Sequence, residues 1–276
     1  MLLLKRLFDF YINSSIHVAL AVCGLVWVTL LNFNVGVDLD FLYFTFFASV
    51  TGYNFVKYFG LAKFHHRSLA RWLKYIQIFS FLCFIGLIYF TLKLKGQTVI
   101  YFGVLGVITF IYAIPFLPKR IFLEAGNLRA ISGLKIYIIA FVWMAVTVII
   151  PLLNEGYVYD NDMLIESIQR YVYVIIAMLP FEIGDMKYDS IKLSTIPQSI
   201  GIARTKTIGI FMVLIMFLLE FFKDEFYVNK IIILGIISLL LLLFLVFSNV
   251  KQNRYYCGFW VEGIPILWAL LTTANY

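Results

Sequence analysis

Charged residues are scarce in this sequence: Asp, Glu, Lys and Arg make up 13% of its 276 residues, whereas 63% are hydrophobic. A soluble protein carries roughly a quarter charged residues and about half apolar ones. The shortage excludes a cytosolic globular domain, and because the apolar residues are spread along nearly the whole chain, it predicts a polytopic membrane protein. In a membrane protein, a net charge of +7 is expected to lie mainly in loops beside the lipid headgroups, and no nucleic-acid partner is expected.

Closely spaced cysteines are also missing. Cys23, Cys83 and Cys257 lie far apart, in or beside apolar runs, and no C-x-x-C pair occurs. Neither a disulfide framework nor a cysteine metal site is therefore predicted. The alternation of polar and apolar residues that a membrane strand needs is absent from stretches such as 231–247, so the predicted fold class is all-α.

Nine apolar runs, each about long enough to cross a bilayer as a helix, are bounded by charged residues, proline or glycine. They lie at 16–33, 39–56, 72–92, 98–117, 132–152, 169–184, 207–222, 229–248 and 258–274. Because nine crossings of about 20 residues leave only about 10 residues for each loop or tail, we expect a single transmembrane domain over residues 1–276. Any functional site must then be built from helix ends and short loops.

Lysine and arginine are divided unequally between the two sides of this predicted bundle. If the N-terminus is inside, seventeen lie on the inner side and five on the outer side. The outer five are Lys93, Lys95, Arg170, Lys223 and Lys230. Because cytoplasmic loops retain positive charge, the division predicts a multi-pass protein of the inner (cytoplasmic) membrane, with its N-terminus in the cytoplasm and its C-terminus outside.

Three acids lie at the inner end of the sixth run: Glu182, Asp185 and Asp189. Their spacing of i, i+3 and i+7 places them on one face of a helix. Carboxylates gathered at a membrane surface repel one another, so a hard cation such as Mg²⁺, with phosphate oxygens completing its shell, is a natural occupant. The alternative is a solvated helix end whose charges pair with Lys187 and Lys192.

Two prolines, Pro115 and Pro118, break the inner end of the fourth run and direct Lys119 and Arg120 back toward the lipid headgroups. Two fixed cations at that level can hold a diphosphate. The alternative is the ordinary positive flanking that inner helix ends show whatever their function.

Two further ionisable residues lie in or beside apolar runs. His17, alone at the start of the first run, is expected to be interfacial rather than a metal ligand. Glu262, in the first turn of the ninth run, is an acid inside a membrane segment, and such acids face protein or water. We expect it to pair with a cation of a neighbouring helix, which the sequence does not identify.

The order of these motifs resembles the UbiA superfamily of intramembrane prenyltransferases, and the resemblance covers nearly the whole chain. The matching positions are Asn54, Tyr112-x-x-Pro115-x-x-x-Lys119, Glu182-x-x-Asp185-x-x-x-Asp189 and Thr195-x-Pro197-x-x-x-Gly201. The resemblance implies a UbiA-like helical bundle in which two Asp-rich motifs hold Mg²⁺ and the diphosphate of a polyprenyl donor. An apolar cavity would house the isoprenoid chain, and a lipophilic acceptor, often an aromatic ring, would attack the allylic cation.

Carried over by this resemblance, Asp185 and Asp189 would bind Mg²⁺, and Glu182 would join them where the family usually has Asp. The catalytic set would be Asp185, Asp189 and Lys119, with Lys119 and Tyr112 contacting the leaving diphosphate. The other residues expected to bind substrate are Asn54, Lys57, Tyr58, Arg120 and Lys192.

The first Asp-rich motif of the family, N-D-x-x-D, is missing. The corresponding stretch reads Asn54-Phe55-Val56-Lys57-Tyr58, so aromatic residues replace both carboxylates, and Gly184 stands where an arginine is common. One hypothesis is that Lys57 supplies the charge of the lost cation and binds phosphate directly. The leading interpretation is a Mg²⁺-dependent prenyltransferase. The rival is a non-catalytic UbiA-like protein that binds isoprenoid or lipid, or acts as a subunit of a membrane assembly.

Overall fold

The computed structural model describes residues 2–62, 71–113, 134–187, 195–225 and 227–276, and every regular element in these ranges is helical. The helices are α1 (Leu2–Asn13), α2 (Ile16–Asn32), α3 (Leu39–Ala62), α4 (Arg71–Thr91), α5 (Gly96–Ala113), α6 (Leu134–Met144), α7 (Ile150–Asn154), α8 (Asn161–Asp185), α9 (Ile196–Ile200), α10 (Ile202–Leu218), α11 (Val228–Phe247) and α12 (Glu262–Ala274). A π-helical turn, Ala145–Ile149, joins α6 to α7, and a second, Tyr256–Val261, leads into α12. A short 3₁₀ helix, Leu219–Phe222, extends α10.

Helices of the described ranges contain each of the nine predicted runs in whole or large part. Six helical segments among the described residues are long and apolar enough to cross a membrane: Trp72–Thr91, Leu134–Asn154, Asn161–Asp185, Ile202–Phe222, Val228–Phe247 and Tyr256–Ala274. A seventh is added if α1 and α2, which meet at a bend of 54°, form one broken span. The predicted all-α, multi-pass membrane protein is confirmed, but the count of nine crossings is not, because α5 is a shorter apolar helix and α3 is not among the six.

The core of the bundle is built around α8. Its buried apolar side chains, including Tyr173, Ile176 and Leu179, pack with residues of α6, α10, α11 and α12. Gly209 lets α10 come close to α8, since a Cβ at this position would lie 2.8 Å from Leu179 Cδ1 and 2.4 Å from Leu245 Cδ2.

The two ends of the bundle differ in their polar contacts. We call the end that contains Lys57, Asp185 and Tyr256 the motif end, and the end that contains Asn32, Asn161 and Phe222 the opposite end. At the opposite end, the N-cap residue of α8 is Asp160, whose side chain accepts a hydrogen bond from the backbone N–H of Met163 at 2.8 Å. This N-cap satisfies one of the free amide groups of the first turn.

All five cations predicted on the outer side lie at or near the opposite end, and each is bound. Arg170 is 1% exposed and forms an ion pair of 2.7 Å with Glu166, one turn away on α8. Lys223 bridges Glu166 at 2.8 Å and Glu220 at 2.7 Å. Burial alone would lower the pKa of Lys223, but the two carboxylates raise it above the ordinary lysine value. Its ammonium is therefore charged at neutral pH.

The remaining three outer cations are bound by carboxylate or main-chain oxygen. Lys93 pairs with Asp40 at 3.2 Å, Lys95 donates to the backbone carbonyl of Asn154, and Lys230 donates to that of Asn32 at 2.6 Å. Lys230 also lines a cavity of about 360 Å³ between α2, α11 and α12. None of the residues predicted to bind metal or substrate lines this cavity.

Candidate functional site

Five of the predicted site residues lie in the described helices at the motif end: Asn54, Lys57 and Tyr58 on α3, and Glu182 and Asp185 on α8. Tyr112 falls within α5. Four others, Lys119, Arg120, Asp189 and Lys192, lie outside the described residues.

Asn54 is 4% exposed, and its amide is used within the protein. Its Nδ2 donates to the backbone carbonyl of Ser14 at 2.9 Å and to Ser80 Oγ at 2.8 Å, while its Oδ1 accepts from Ser15 Oγ at 2.8 Å. The chain at Ser15 has a φ of 64°, in the left-handed region, between α1 and α2. Asn54 therefore holds the bend between these two helices.

Lys57 and Tyr58 bind the same bend. The hydroxyl of Tyr58 donates to the backbone carbonyl of Asn13 at 2.7 Å, and Lys57 Nζ lies 3.5 Å from the same oxygen. The stretch that stands in place of the first Asp-rich motif thus fixes the end of α1. A further contact ties α1 to the loop before α12, where Asp9 accepts from Arg254 and from the Tyr255 hydroxyl.

Glu262 lies in the first turn of α12, directly after the π-helical turn Tyr256–Val261, and Lys57 on α3 is the cation whose charge acts on it. Cys257 lies beside the end of α8, because Gln252 Nε2 is 3.0 Å from its Sγ and 2.8 Å from the backbone carbonyl oxygen of Pro180.

Glu182 is 2% exposed and binds the segment that follows the acidic motif. Its Oε2 accepts from the backbone N–H of Ile196 at 3.1 Å, at the first turn of α9. The next helix starts after Gly201, whose φ of 86° is unfavourable for residues with a side chain. Thr195 to Gly201, the segment matched by the resemblance, is in this way attached to the end of α8.

Gln252 is a residue of this site that the sequence did not reveal. Its Nε2 donates to the backbone carbonyl of Pro180 at 2.8 Å and lies 3.0 Å from Cys257 Sγ. A Cβ at Gly184 would lie 2.2 Å from the same Nε2. Glycine is therefore required where the resemblance expects arginine, because the Gln252 side chain fills that space. The departure at Gly184 was the signal available in the sequence.

The carboxylates at the end of α8 suit a hard cation. Mg²⁺ is held by one or two carboxylates together with water and substrate phosphate oxygens, and Glu182 and Asp185 offer two carboxylates one turn apart. The helix ends at Asp185, and Met186 and Lys187 form a turn. Among the residues that the structure describes, no group of three His, Cys, Asp or Glu side chains is arranged to enclose a metal. The donor set fits a cation shared with a phosphate ligand.

His17 is not a ligand. Its Nε2 lies 2.9 Å from the backbone carbonyl of Phe259, which only accepts hydrogen bonds, so this nitrogen carries the proton. Nδ1 then accepts from the Tyr11 hydroxyl at 2.8 Å. At 3% exposure the ring is buried rather than interfacial, because α1 and the start of α12 cover it.

Comparison with known proteins identifies the fold. No family model and no curated sequence matches this chain. Among solved structures, a digeranylgeranylglyceryl phosphate synthase is similar, with a TM-score of 0.58 at 13% identity over 99% of this chain and 100% of the other. A UbiA homologue from Archaeoglobus fulgidus bound to GPP and Mg²⁺ has a TM-score of 0.58 at 11% identity, covering 96% of this chain and 98% of the homologue. These likenesses confirm the predicted UbiA-like fold.

Proposed function

We propose that this chain, which has the UbiA fold over nearly its full length, is an Mg²⁺-dependent intramembrane prenyltransferase. It would move an isoprenoid group from a polyprenyl diphosphate to a lipophilic acceptor. The observation that carries the proposal is a UbiA-like bundle in which Glu182 and Asp185 lie one turn apart at the end of α8. One structural neighbour was solved with GPP and Mg²⁺, which supports the choice of donor and metal.

The residues of this chain would share the work of binding and orienting the diphosphate. Asp185 and Asp189, with Glu182 beside them, would hold Mg²⁺, which neutralises charge on a diphosphate when bound. Lys57 would contribute a fixed positive charge on the other side of the diphosphate. We also propose Lys119, Arg120, Lys192, Tyr112 and Asn54 as substrate contacts, as the resemblance implies.

No covalent intermediate with the protein is needed in this reaction. The rate would come from positive groups placed in advance where negative charge grows on the departing diphosphate, an effect that is larger in a site from which water is excluded. The apolar interior of the bundle supports such exclusion. We further propose that the motif end faces the cytoplasm, because seventeen of the 22 Lys and Arg residues are predicted on that side.

A second candidate function is favoured by a separate observation. Asn54, Lys57 and Tyr58 bind the bend between α1 and α2, so the place of the first Asp-rich motif has acquired a structural use. A protein that lost catalysis but kept the bundle would bind an isoprenoid or another lipid without converting it, alone or as a subunit of a membrane assembly.

Donor turnover separates the two functions. Detergent-purified protein is incubated with radiolabelled geranyl diphosphate and a membrane lipid extract, with Mg²⁺ or with EDTA. The enzyme releases diphosphate and forms a prenylated lipid only with Mg²⁺. Asp185→Asn and Asp189→Asn each lower turnover by about 10²-fold or more, the size of effect seen when a preorganised charge is removed.

The control is Asp224→Asn, an exposed acid at the opposite end, which should retain wild-type turnover. Saturable binding of the donor without release of diphosphate would contradict the enzyme and support the lipid binder.

A further inference from the structure

The cavity of about 360 Å³ at the opposite end has no part in the proposed prenyl transfer. The end of α2, the start of α11 and the end of α12 surround it. The candidate membrane span Val228–Phe247 begins there, and the span Tyr256–Ala274 ends there. The cavity therefore lies at the level of the lipid headgroups, and its volume falls in the range of small-molecule sites, about 300–1,000 Å³.

Among the described residues, Lys230 is the one charged side chain that lines this cavity. Its Nζ donates to the backbone carbonyl of Asn32 at 2.6 Å and lies 4.2 Å from the centre of the Tyr227 ring. Within the described ranges it forms no ion pair with an acid. Because an ammonium group has three donors, two remain for a ligand, and phosphate is a group that lysine binds as a point charge.

The acids behind Lys230 are already neutralised. A smaller cavity of about 20 Å³, enough for one water molecule, is lined by Lys230 and also by Glu166 and Glu220. Lys223 bridges these two carboxylates, and Arg170 pairs with Glu166. Two acids and two cations cancel, so this group does not balance the positive charge that Lys230 brings to the larger cavity.

The other polar groups of the larger cavity are neutral and suit the oxygen atoms of a headgroup. Within the described part of the chain, the side-chain amides of Asn32 and Asn229 make no hydrogen bond, and both line the cavity. Amide groups of this kind donate to phosphate and hydroxyl oxygens. No described Asp or Glu lines the cavity, so its lining matches a ligand with a negative charge.

The surface beside the cavity favours a lipid over a free phosphate. Val228 lines the cavity and is 64% exposed. Three further exposed apolar side chains continue from it along α11: Ile232, Ile236 and Leu239. Spacings of four, eight and eleven residues from Val228 place them on one face of the helix. A lipid held by its phosphate at Lys230 can lay its acyl chains along this face, whereas a free phosphate makes no use of it.

We propose that the cavity at the opposite end is a binding site for an anionic phospholipid. Lys230 binds the phosphate, the amides of Asn32 and Asn229 bind further headgroup oxygens, and the acyl chains lie along the exposed face of α11. The site lies at the other end of the bundle from the acidic motif, so it does not depend on the proposed prenyl transfer.

Competition between two lipids tests the site. Detergent-purified protein, freed of copurified lipid, is mixed with equal amounts of phosphatidylglycerol and phosphatidylcholine that carry the same acyl chains, and bound lipid is counted by native mass spectrometry. The wild type should bind one phosphatidylglycerol in preference to phosphatidylcholine. Lys230→Gln, which removes the charge but keeps a polar side chain, should weaken this binding about tenfold to 100-fold, as expected for loss of a charge-assisted hydrogen bond.

The matched control is Lys93→Gln, which removes the same charge from the same end of the bundle at a side chain that pairs with Asp40 at 3.2 Å. It should bind phosphatidylglycerol as the wild type does. Lys230→Arg keeps the charge and should retain most of the binding. Asn229→Trp fills the mouth of the cavity without a change of charge and should also weaken binding. Because Asn229 is exposed, this variant provides the test if thermal unfolding shows that Lys230→Gln is not folded.

Four results would overturn the proposal. Equal binding of the two lipids by the wild type would exclude selection of an anionic lipid, and full binding by Asn229→Trp would place the lipid elsewhere. An equal loss in Lys93→Gln would reduce the effect to the general attraction of anionic lipids to basic residues. Displacement of phosphatidylglycerol by the same concentration of inorganic phosphate would assign the cavity to a free phosphate. None of these results bears on prenyl transfer, whose failure would appear as absence of diphosphate release.

Discussion

At the scale of single residues, glycine at position 184 is explained by a contact with a residue far away in the sequence. The sequence shows a glycine in a motif where arginine is expected, but only the structure shows that Gln252, 68 positions later in the chain, lies against it. Contacts between distant parts of a chain leave no periodic signal, so the partner could not be predicted. The acids of the same motif were recognisable because their helical spacing depends on local geometry alone.

Substitution of Gly184 tests this packing. Gly184→Ala places a Cβ 2.2 Å from Gln252 Nε2, and overpacking of this kind costs about 1–3 kcal/mol. We expect a lower thermal unfolding temperature in detergent, and Gln252→Ala in the same chain should restore most of the loss.

The matched control is Gly235→Ala on α11, where an added Cβ would have its nearest neighbour at 3.6 Å. Alanine there should stabilise the helix by roughly 0.5–1 kcal/mol. Equal effects at the two glycines would refute the role of Gln252.

At the scale of elements, hydropathy predicted where helices form but not how they begin and bend. The sixth run was predicted from 169, whereas α8 extends back to Asn161. This earlier part of α8 contains Glu166 and Arg170, which pair with each other, and their further partners Thr29 and Lys223 come from distant parts of the chain. The π-turns and the bend before Ser15 depend on tertiary contacts, so the apolar pattern contained no sign of them.

The hydrogen bonds at the bend between α1 and α2 lead to a prediction about the local stability of α1. Tyr58→Phe removes the hydroxyl that binds the carbonyl of Asn13, and a hydrogen bond of this kind contributes about 1 kcal/mol. Amide hydrogen exchange of α1 should therefore become several-fold faster.

The control for this change is Tyr43→Phe on the same helix, a tyrosine that is 53% exposed. Loss of the Tyr43 hydroxyl should leave the amide hydrogen exchange of α1 unaltered. If α1 exchanged at the wild-type rate in Tyr58→Phe as well, the hydroxyl of Tyr58 would not be what holds the bend.

For the whole molecule, the sequence predicted the class of protein and the fold well, because composition and the order of motifs are properties of the entire chain. The division of charge between the two ends was visible in the sequence as well. The contacts that these charged residues make were not visible in the sequence, because the partners of the outer cations come together only in the folded bundle.

Substitution of Arg170 tests how much the stability of the bundle depends on the ion pairs at the opposite end. Arg170→Met leaves Glu166 with one cation and removes hydrogen bonds to the carbonyl of Leu25 and to Thr29 Oγ1. Breaking a buried pair by removing one partner costs about 3–5 kcal/mol, so unfolding in detergent should occur at a much lower temperature. Arg204→Met, at an exposed position of α10, should have little effect, and a loss of the same size there would contradict the special role of Arg170.

The pairing of Glu166 with Arg170 also bears on how the chain enters the bilayer during synthesis. Because the two residues are one turn apart on the same helix, they can neutralise each other before any later helix has been made. A neutral pair partitions from the translocon into lipid far more easily than two separate charges. Helix α8 can thus be inserted early, and Lys223 reaches Glu166 only after α10 has followed.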